Sequence, residues 1–99
     1  MASFTIERVA SGRLRAGGEL GFATAAEALE AGAAHLARAD DEVIDLGGVT
    51  AGDSAGVAVL VEWIATATAR GVSLRYENVP QQMLAIARIS DLQDLLIRN

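Results

Sequence analysis

Ser54 is the side chain whose position in this sequence most suggests a specific chemical role. It follows Asp53 and precedes Ala55-Gly56, after a glycine-containing stretch that ends an apolar segment. A serine at the start of a helix ordinarily caps the first turn, which stabilises the helix by about 1 kcal/mol. The alternative is a protein contact or phosphoryl-acceptor site, because Gly56 leaves room for a partner's backbone. A phosphate there adds about 1.5–2 negative charges and, beside Asp53, would repel an acidic partner.

No set of residues in the sequence forms a recognisable catalytic or metal-binding group. His35 is the only histidine and there is no cysteine, which leaves too few ligands for a zinc site. The acidic run Asp40-Asp41-Glu42 is typical of a solvated loop, and nothing else supports the alternative of a divalent-cation site. Neither Gly17-Gly18 nor Gly47-Gly48 is followed by the Gly-Lys-Ser/Thr of a phosphate loop. We therefore expect no enzyme activity, no cofactor and no metal.

Composition and charge argue against several classes of partner. The chain has 8 basic and 13 acidic residues, for a net charge of −5. Every basic residue is an arginine and the arginines are scattered, so we expect binding neither to nucleic acid nor to an anionic lipid surface. The longest apolar run, Ala55–Val61, is shorter than the roughly 17–25 residues of a membrane span. With no signal peptide visible and no cysteine, we expect one cytoplasmic domain over residues 1–99.

Alternation of apolar and polar residues predicts the strands that position Ser54. Four segments fit a strand: Phe4–Val9, Arg13–Gly18, Glu42–Leu46 and Val72–Tyr76. The first two flank Ser11-Gly12 and predict an antiparallel hairpin. The third is rich in β-branched residues and is followed by Gly47-Gly48, which predicts a central strand covered on both faces and then a turn.

Helical periodicity fills the segments between these strands. The predicted helices run from Thr24 to about Arg38, Ser54 to Arg70, Gln81 to Ile89, and Leu92 to about Arg98. Thr24 and Glu27 have the spacing of a capping box, and Gly32 inside that helix suggests a close approach to the sheet. The order ββαβαβαα predicts an α/β fold, in which about four helices accompany a four-stranded mixed sheet with one hairpin edge.

The helix beginning at Ser54 carries apolar residues on two sides. At about 100° per residue, the predicted core face consists of Val57, Leu60, Val61, Ile64 and Thr68. The opposite side consists of Val59, Glu62, Trp63 and Thr66. Trp63 either lies under a neighbouring loop or helix, or anchors an interface, where tryptophan is enriched. Val59 lies one turn away and would join it in an exposed patch, which favours the interface.

These motifs, taken together, resemble the STAS-domain family. The resemblance rests on Gly18-Glu19-Leu20, Val43–Leu46 and Asp53-Ser54-Ala55-Gly56, which occur in this order across an alanine-rich helix. It covers nearly the whole chain and agrees with the element order predicted above. The chain departs from the family pattern at Gly21, where many members have aspartate. It departs again at Ala55, where a small polar residue or a glycine is often found.

Within the family, the segment Val79–Ile89 and the short chain look most like the STAS subunits, of the MlaB type, of Mla phospholipid ABC transporters. That resemblance implies a non-enzymatic cytoplasmic subunit that binds the transporter's ATPase subunit at the inner membrane. The complex would move phospholipid and so maintain outer-membrane lipid asymmetry. The Asp-Ser-x-Gly motif and the helix after it supply the candidate partner-binding residues: Asp53, Ser54, Ala55, Gly56, Val59, Glu62, Trp63 and Thr66.

Two other functions remain open from the sequence. The first is an anti-sigma-factor antagonist, whose partner is an anti-sigma factor serine kinase and whose candidate phosphorylation site is Ser54. The second is a small ligand-binding or nucleotide-binding domain, which would need a pocket. The Asp-Ser-x-Gly motif does not separate the transporter subunit from the antagonist.

Overall fold

The computed structural model describes residues 2–37 and 40–97, in the predicted order ββαβαβαα. The strands are β1 (Phe4–Ala10), β2 (Arg13–Leu20), β3 (Glu42–Gly52) and β4 (Leu74–Glu77). The helices of the described residues are α1 (Ala25–His35), α2 (Ser54–Ala69), α3 (Gln81–Ile89) and α4 (Gln93–Leu96). The predicted fold class is therefore confirmed. The predicted helix ends at Arg38 and Arg98 lie outside the described residues.

The sheet has the strand order β1-β2-β3-β4, with an antiparallel hairpin followed by two parallel pairs. Leu14 lies opposite Ile44, which in turn lies opposite Tyr76. All three side chains are buried, and the Tyr76 hydroxyl donates to the carbonyl of Leu60 at 2.5 Å. The helices therefore pack on this face of the sheet.

The other face of the sheet is polar and only partly covered. It carries Arg13, Arg15, Val43, Asp45, Arg75 and Glu77, which are half-buried or exposed. Arg13 pairs with Glu77 at 2.6 Å, an ion pair of a kind that contributes little in water. The prediction that the central strand is covered on both faces is therefore wrong, because side chains alternate across a strand and helices cover only one side.

The glycine pair in β3 continues the strand instead of turning the chain. Gly48 pairs with Gly17, and the register with β2 shifts on either side of this pair. A Cβ at Gly48 would lie 2.9 Å from the carbonyl oxygen of Ala16, so glycine permits a close approach of the two backbones. The predicted turn at Gly47-Gly48 is therefore wrong. The strand runs on to Gly52 and delivers Asp53 directly to the start of α2.

Trp63 lies inside the protein, between α2 and α1. Its indole is fully buried and its Nε1–H donates to the carbonyl of Ala28 at 3.2 Å. Gly32 faces the same ring, and a Cβ at that position would overlap it. Phe4 contributes a second aromatic, with ring centroids 6.0 Å apart. The predicted close approach of Gly32 is thus to α2, and the expectation that it approaches the sheet is wrong.

The helix α2 is buried on two sides, because the sheet covers one side and α1 packs against another. Val57, Leu60 and Ile64 are buried as predicted, whereas the predicted core residue Thr68 is exposed. Val59 is only 2% exposed and Trp63 is 0% exposed. The prediction that these two side chains form an exposed patch is therefore wrong. α2 is therefore apolar and buried on two sides, while Ala58, Glu62 and Ala65 remain exposed along a third.

The side chains of Thr24 and Glu42 are not placed as their sequence context predicted. The Thr24 hydroxyl makes no capping bond to α1; it donates to the carbonyl of Glu19 at 2.9 Å and accepts from the amide of Gly21 at 3.1 Å. Of the predicted solvated acidic loop, Asp40 and Asp41 are exposed, whereas Glu42, which begins β3 as predicted, is only 2% exposed. The guanidinium of Arg8 meets its two carboxylate oxygens at 2.8 and 3.0 Å. This bidentate pair gives the buried charge the partner that it needs.

None of the helices in the described residues is both long enough and apolar enough to cross a bilayer.

Candidate protein-interaction site

The carboxylate of Asp53 organises the corner where β3 meets α2. Its Oδ1 accepts from the amide of Gly56 at 3.1 Å and caps the helix. Its Oδ2 accepts from the amide of Phe22 at 3.1 Å, in the loop between β2 and α1. The amide of Phe22, then that of Gly56, lowers the pKa of the Asp53 carboxyl below its usual value. Asp53 is therefore a charged side chain that ties two segments together.

Ser54 is free of the capping role that its position suggests. It is the first residue of α2 and is exposed, and the cap is supplied by the preceding Asp53. Within the described residues the Ser54 hydroxyl has no hydrogen-bond partner, so it is available to another molecule. The interpretation of Ser54 as the helix cap is wrong by one residue, and its interpretation as an accessible contact residue remains a prediction.

Glycines allow the segments at this corner to approach closely. A Cβ at Gly56 would overlap the carbonyl oxygen of Leu20 at the end of β2. A Cβ at Gly21 would lie 2.7 Å from Oδ2 of Asp53, so the residue at which the chain departs from the family pattern makes room for the carboxylate. The space at Gly56 is filled from within the protein, and the expectation that it admits a partner's backbone is wrong.

Phe22 is a functional candidate that the sequence analysis missed. Its side chain is 86% exposed, although it lies in a loop that is hydrogen-bonded to Asp53. Beside it is an open depression of about 330 Å³, lined by Glu19, Gly21, Phe22, Ala23, Thr24, Ala51, Gly52 and Asp53. The available signal was a phenylalanine outside both the strand and the helix periodicity, following Gly21. We refer to Glu19, Phe22, Asp53 and Ser54 as the Ser54 corner.

The predicted contact residues divide into three groups by exposure. Three are exposed: Asp53, Ser54 and Glu62. Two are half-buried: Ala55 and Thr66. Three are buried: Gly56, Val59 and Trp63. The exposed members, with Ala58 between them, form a narrow stripe along α2 that begins at the Ser54 corner. A partner can touch that stripe, whereas contact with Val59 or Trp63 would require α1 to move away.

The Ser54 corner presents three kinds of group: an accessible hydroxyl, fixed negative charge and one exposed aromatic ring. The Asp53 carboxylate is occupied by two backbone amides. Among the residues that the structure describes, no group of three or more histidine, cysteine and acidic side chains is placed to hold a metal ion.

Comparisons with known proteins add a family and a fold. The family model described as "Mlab, STAS domain" matches residues 4–98. The solved structure of the anti-sigma factor antagonist SpoIIAA in its unphosphorylated form is similar, with a TM-score of 0.72, 15% identity, and coverage of 96% of this chain and 86% of that chain. A crystal structure titled Mglu is similar over 78% of this chain and 20% of that chain, with 22% identity and a TM-score of 0.59. No curated protein sequence matches the chain.

Proposed function

The chain belongs to the STAS-domain family, and from that membership we propose that it is a non-enzymatic accessory subunit of a phospholipid ABC transporter. In this proposal it binds the transporter's ATPase subunit through the Ser54 corner and the exposed stripe of α2. It supports the assembly and activity of a complex that maintains outer-membrane lipid asymmetry. The protein would be cytoplasmic and held at the inner membrane by its partner.

One observation carries the proposal: Ser54 is exposed and released from helix capping by Asp53. A hydroxyl that stabilises nothing inside the protein is free to serve a contact outside it. The family model's description, which names Mlab, supports the choice of a transporter over other STAS proteins. The resemblance of residues Val79–Ile89 to transporter subunits supports the same choice.

The test is co-purification with the ATPase subunit of a phospholipid ABC transporter from the same cells. We expect wild-type protein to form a complex and Ser54→Arg to lose it, because arginine places a long charged side chain where the partner must approach. The folded state should not change, since surface substitutions ordinarily alter stability by less than about 0.5 kcal/mol. Ser11→Arg is the matched control, because Ser11 is exposed in the β1–β2 turn, away from the Ser54 corner.

Equal recovery of the ATPase subunit with wild-type, Ser54→Arg and Ser11→Arg proteins would refute the proposed surface. Failure of the wild-type protein to bind any ATPase subunit would refute the proposed function.

The anti-sigma-factor antagonist remains a second candidate because of the same exposed serine. Ser54 is the first residue of α2, where a phosphate is favoured by the helix dipole but lies next to the negative Asp53. In that function the partner is a serine kinase, and phosphorylation releases it. Mass spectrometry of protein from native cells separates the two candidates: high phosphate occupancy at Ser54 supports the antagonist, and an unmodified Ser54 supports the transporter subunit.

A further inference from the structure

Phe22 combines an exposed aromatic ring with a loop that is held in place by hydrogen bonds. Its ring is 86% exposed, yet the loop that carries it is held by a network of hydrogen bonds. The Phe22 amide donates to Asp53 and the Gly21 amide donates to the Thr24 hydroxyl, each at 3.1 Å. Thr24 itself is 1% exposed and bonds back to Glu19. The aromatic ring is thus presented to solvent from an ordered support.

The position of Phe22 makes it continuous with the proposed contact surface. The same Asp53 side chain holds the loop through Oδ2 and caps α2 through Oδ1. Phe22 and Asp53 both line the depression, and Ser54 directly follows Asp53 in the chain. A partner seated at the depression would therefore lie next to the residue that carries the exposed hydroxyl.

The charges around the ring indicate what kind of partner fits there. Glu19 and Asp53 line the depression, and Glu62 is exposed further along α2. The described arginines lie elsewhere: Arg8, Arg13 and Arg15 on the hairpin, Arg75 on β4, Arg70 after α2 and Arg88 near the end of α3. Several of these are already paired, as Arg8 is with Glu42. The surface around Phe22 is acidic.

We propose that Phe22 is the hydrophobic anchor of the contact and enters an apolar pocket of the ATPase subunit that is rimmed by arginine or lysine. This inference rests on the proposed function and specifies which chemistry the partner must offer. A rigidly held aromatic loses little conformational freedom on binding, and aromatic anchors dominate the energy of many interfaces. The acidic surroundings favour a basic rim by charge complementarity.

The test measures the affinity of purified variants for the isolated ATPase subunit by titration calorimetry. Phe22→Ala should weaken binding at least about tenfold, and Phe22→Leu, which keeps apolar volume, should weaken it less. The control is Ile89→Ala, because Ile89 is 88% exposed but lies at the last residue of α3. It should bind as wild type does. All three variants should melt as wild type does, since neither side chain is buried.

The basic residues proposed around the partner's pocket can be tested separately, through the salt dependence of binding. Raising the salt concentration should weaken wild-type binding, because screening reduces attraction between opposite charges. Glu19→Gln should reduce that salt dependence.

The outcomes distinguish this inference from the proposed function. If Ser54→Arg abolishes binding while Phe22→Ala binds as wild type does, the anchor is refuted and the proposed function stands. Equal losses of affinity for Phe22→Ala and Ile89→Ala also refute the anchor, because removing any exposed apolar side chain would then weaken binding to the same degree. If wild-type protein does not bind, the proposed function fails and this inference fails with it. Affinity that does not change with salt refutes the basic rim.

Discussion

Trp63 and Ser54 are the two residues of α2 to which the sequence drew most attention, and they lie in different surroundings. Trp63 is on the side of α2 that packs against α1, which we call the flank, and Ser54 is at the N-terminal corner. On the flank, Trp63 is fully buried and donates a hydrogen bond to α1. At the corner, Ser54 is exposed and its capping role is taken by Asp53. The larger and more apolar side chain serves the stability of the fold, whereas the small polar one is exposed and is the contact residue that we propose.

The difference shows which parts of a helix that is covered on two sides stay open to another protein. The sheet covers one side of α2 through Leu60 and its neighbours, and α1 covers a second side through Ala28 and Gly32. A narrow stripe and both ends of the helix remain accessible. Binding residues are therefore expected at the end of the helix and in the loop that Asp53 attaches to it, and not along the apolar flank.

Trp63→Ala is expected to have the largest effect and tests the buried flank. Removing a buried aromatic and its hydrogen bond should lower the free energy of unfolding by about 3–5 kcal/mol. Chemical denaturation followed by far-UV circular dichroism measures the change. A stable Trp63→Ala protein that has lost its partner would contradict this prediction, and it would restore Trp63 as an interface residue.

Gly32→Ala is expected to have the next largest effect, and it tests how tightly α1 covers the flank. Alanine ordinarily stabilises a helix interior by up to about 1 kcal/mol relative to glycine. Here its Cβ would overlap the Trp63 ring, and such overpacking typically costs about 1–3 kcal/mol. We therefore expect a lower melting temperature. Ala26→Gly is the control, because Ala26 is exposed on α1 and reports helix propensity alone.

A melting temperature for Gly32→Ala that is equal to or above wild type would mean that the indole moves easily. The packing between α1 and α2 around Trp63 would then be less tight than its complete burial indicates.

Asp53→Ala is expected to have the smallest effect on stability, and it tests the corner. Loss of the cap should cost about 1 kcal/mol at neutral pH, whereas Asp53→Asn keeps a side-chain oxygen for the cap. The backbone amides lower the pKa of Asp53 in the folded state. Its contribution to stability is therefore present above the unfolded pKa of about 3.9 and is lost as the pH falls through the lower, folded value.

Thermal melts of wild type and Asp53→Asn between neutral pH and the acid range check the direction of this pH dependence. The wild type should lose more stability than the variant in acid. Identical pH profiles would show that the carboxylate charge contributes nothing to the corner.

The sequence predicted the fold well because its strongest signals are local. Alternation on either side of Ser11-Gly12 gives the hairpin, and periodicity with Pro80 just before Gln81 gives α3 with its observed bounds. The path of β3 was not predictable in the same way. Gly47-Gly48 has the composition of a turn, and only the approach of Ala16 from the neighbouring strand explains why the strand continues.

The site was predicted in part, for a related reason. The motif located Ser54, but the choice between Asp53 and Ser54 as the cap depends on backbone geometry, since both residue types cap helices well. Periodicity separated Trp63 from the residues on the same side of α2 as Leu60, but it could not show that α1 and Phe4 bury the ring. Gly32, a residue without a side chain in an alanine-rich helix, was the hint that a large ring packs against it. Phe22 lies outside every periodic segment, so periodicity did not identify it as a candidate contact residue.

Trp63 is an intrinsic fluorescence probe of the packing between α1 and α2, because its indole is buried and bonded to the Ala28 carbonyl. Trp63 is the only tryptophan, and its dry, apolar surroundings should give blue-shifted fluorescence. A partner that touches only the exposed corner leaves those surroundings unchanged and should leave the emission maximum where it is. A red shift on complex formation would instead report that the first helix has lifted from the second.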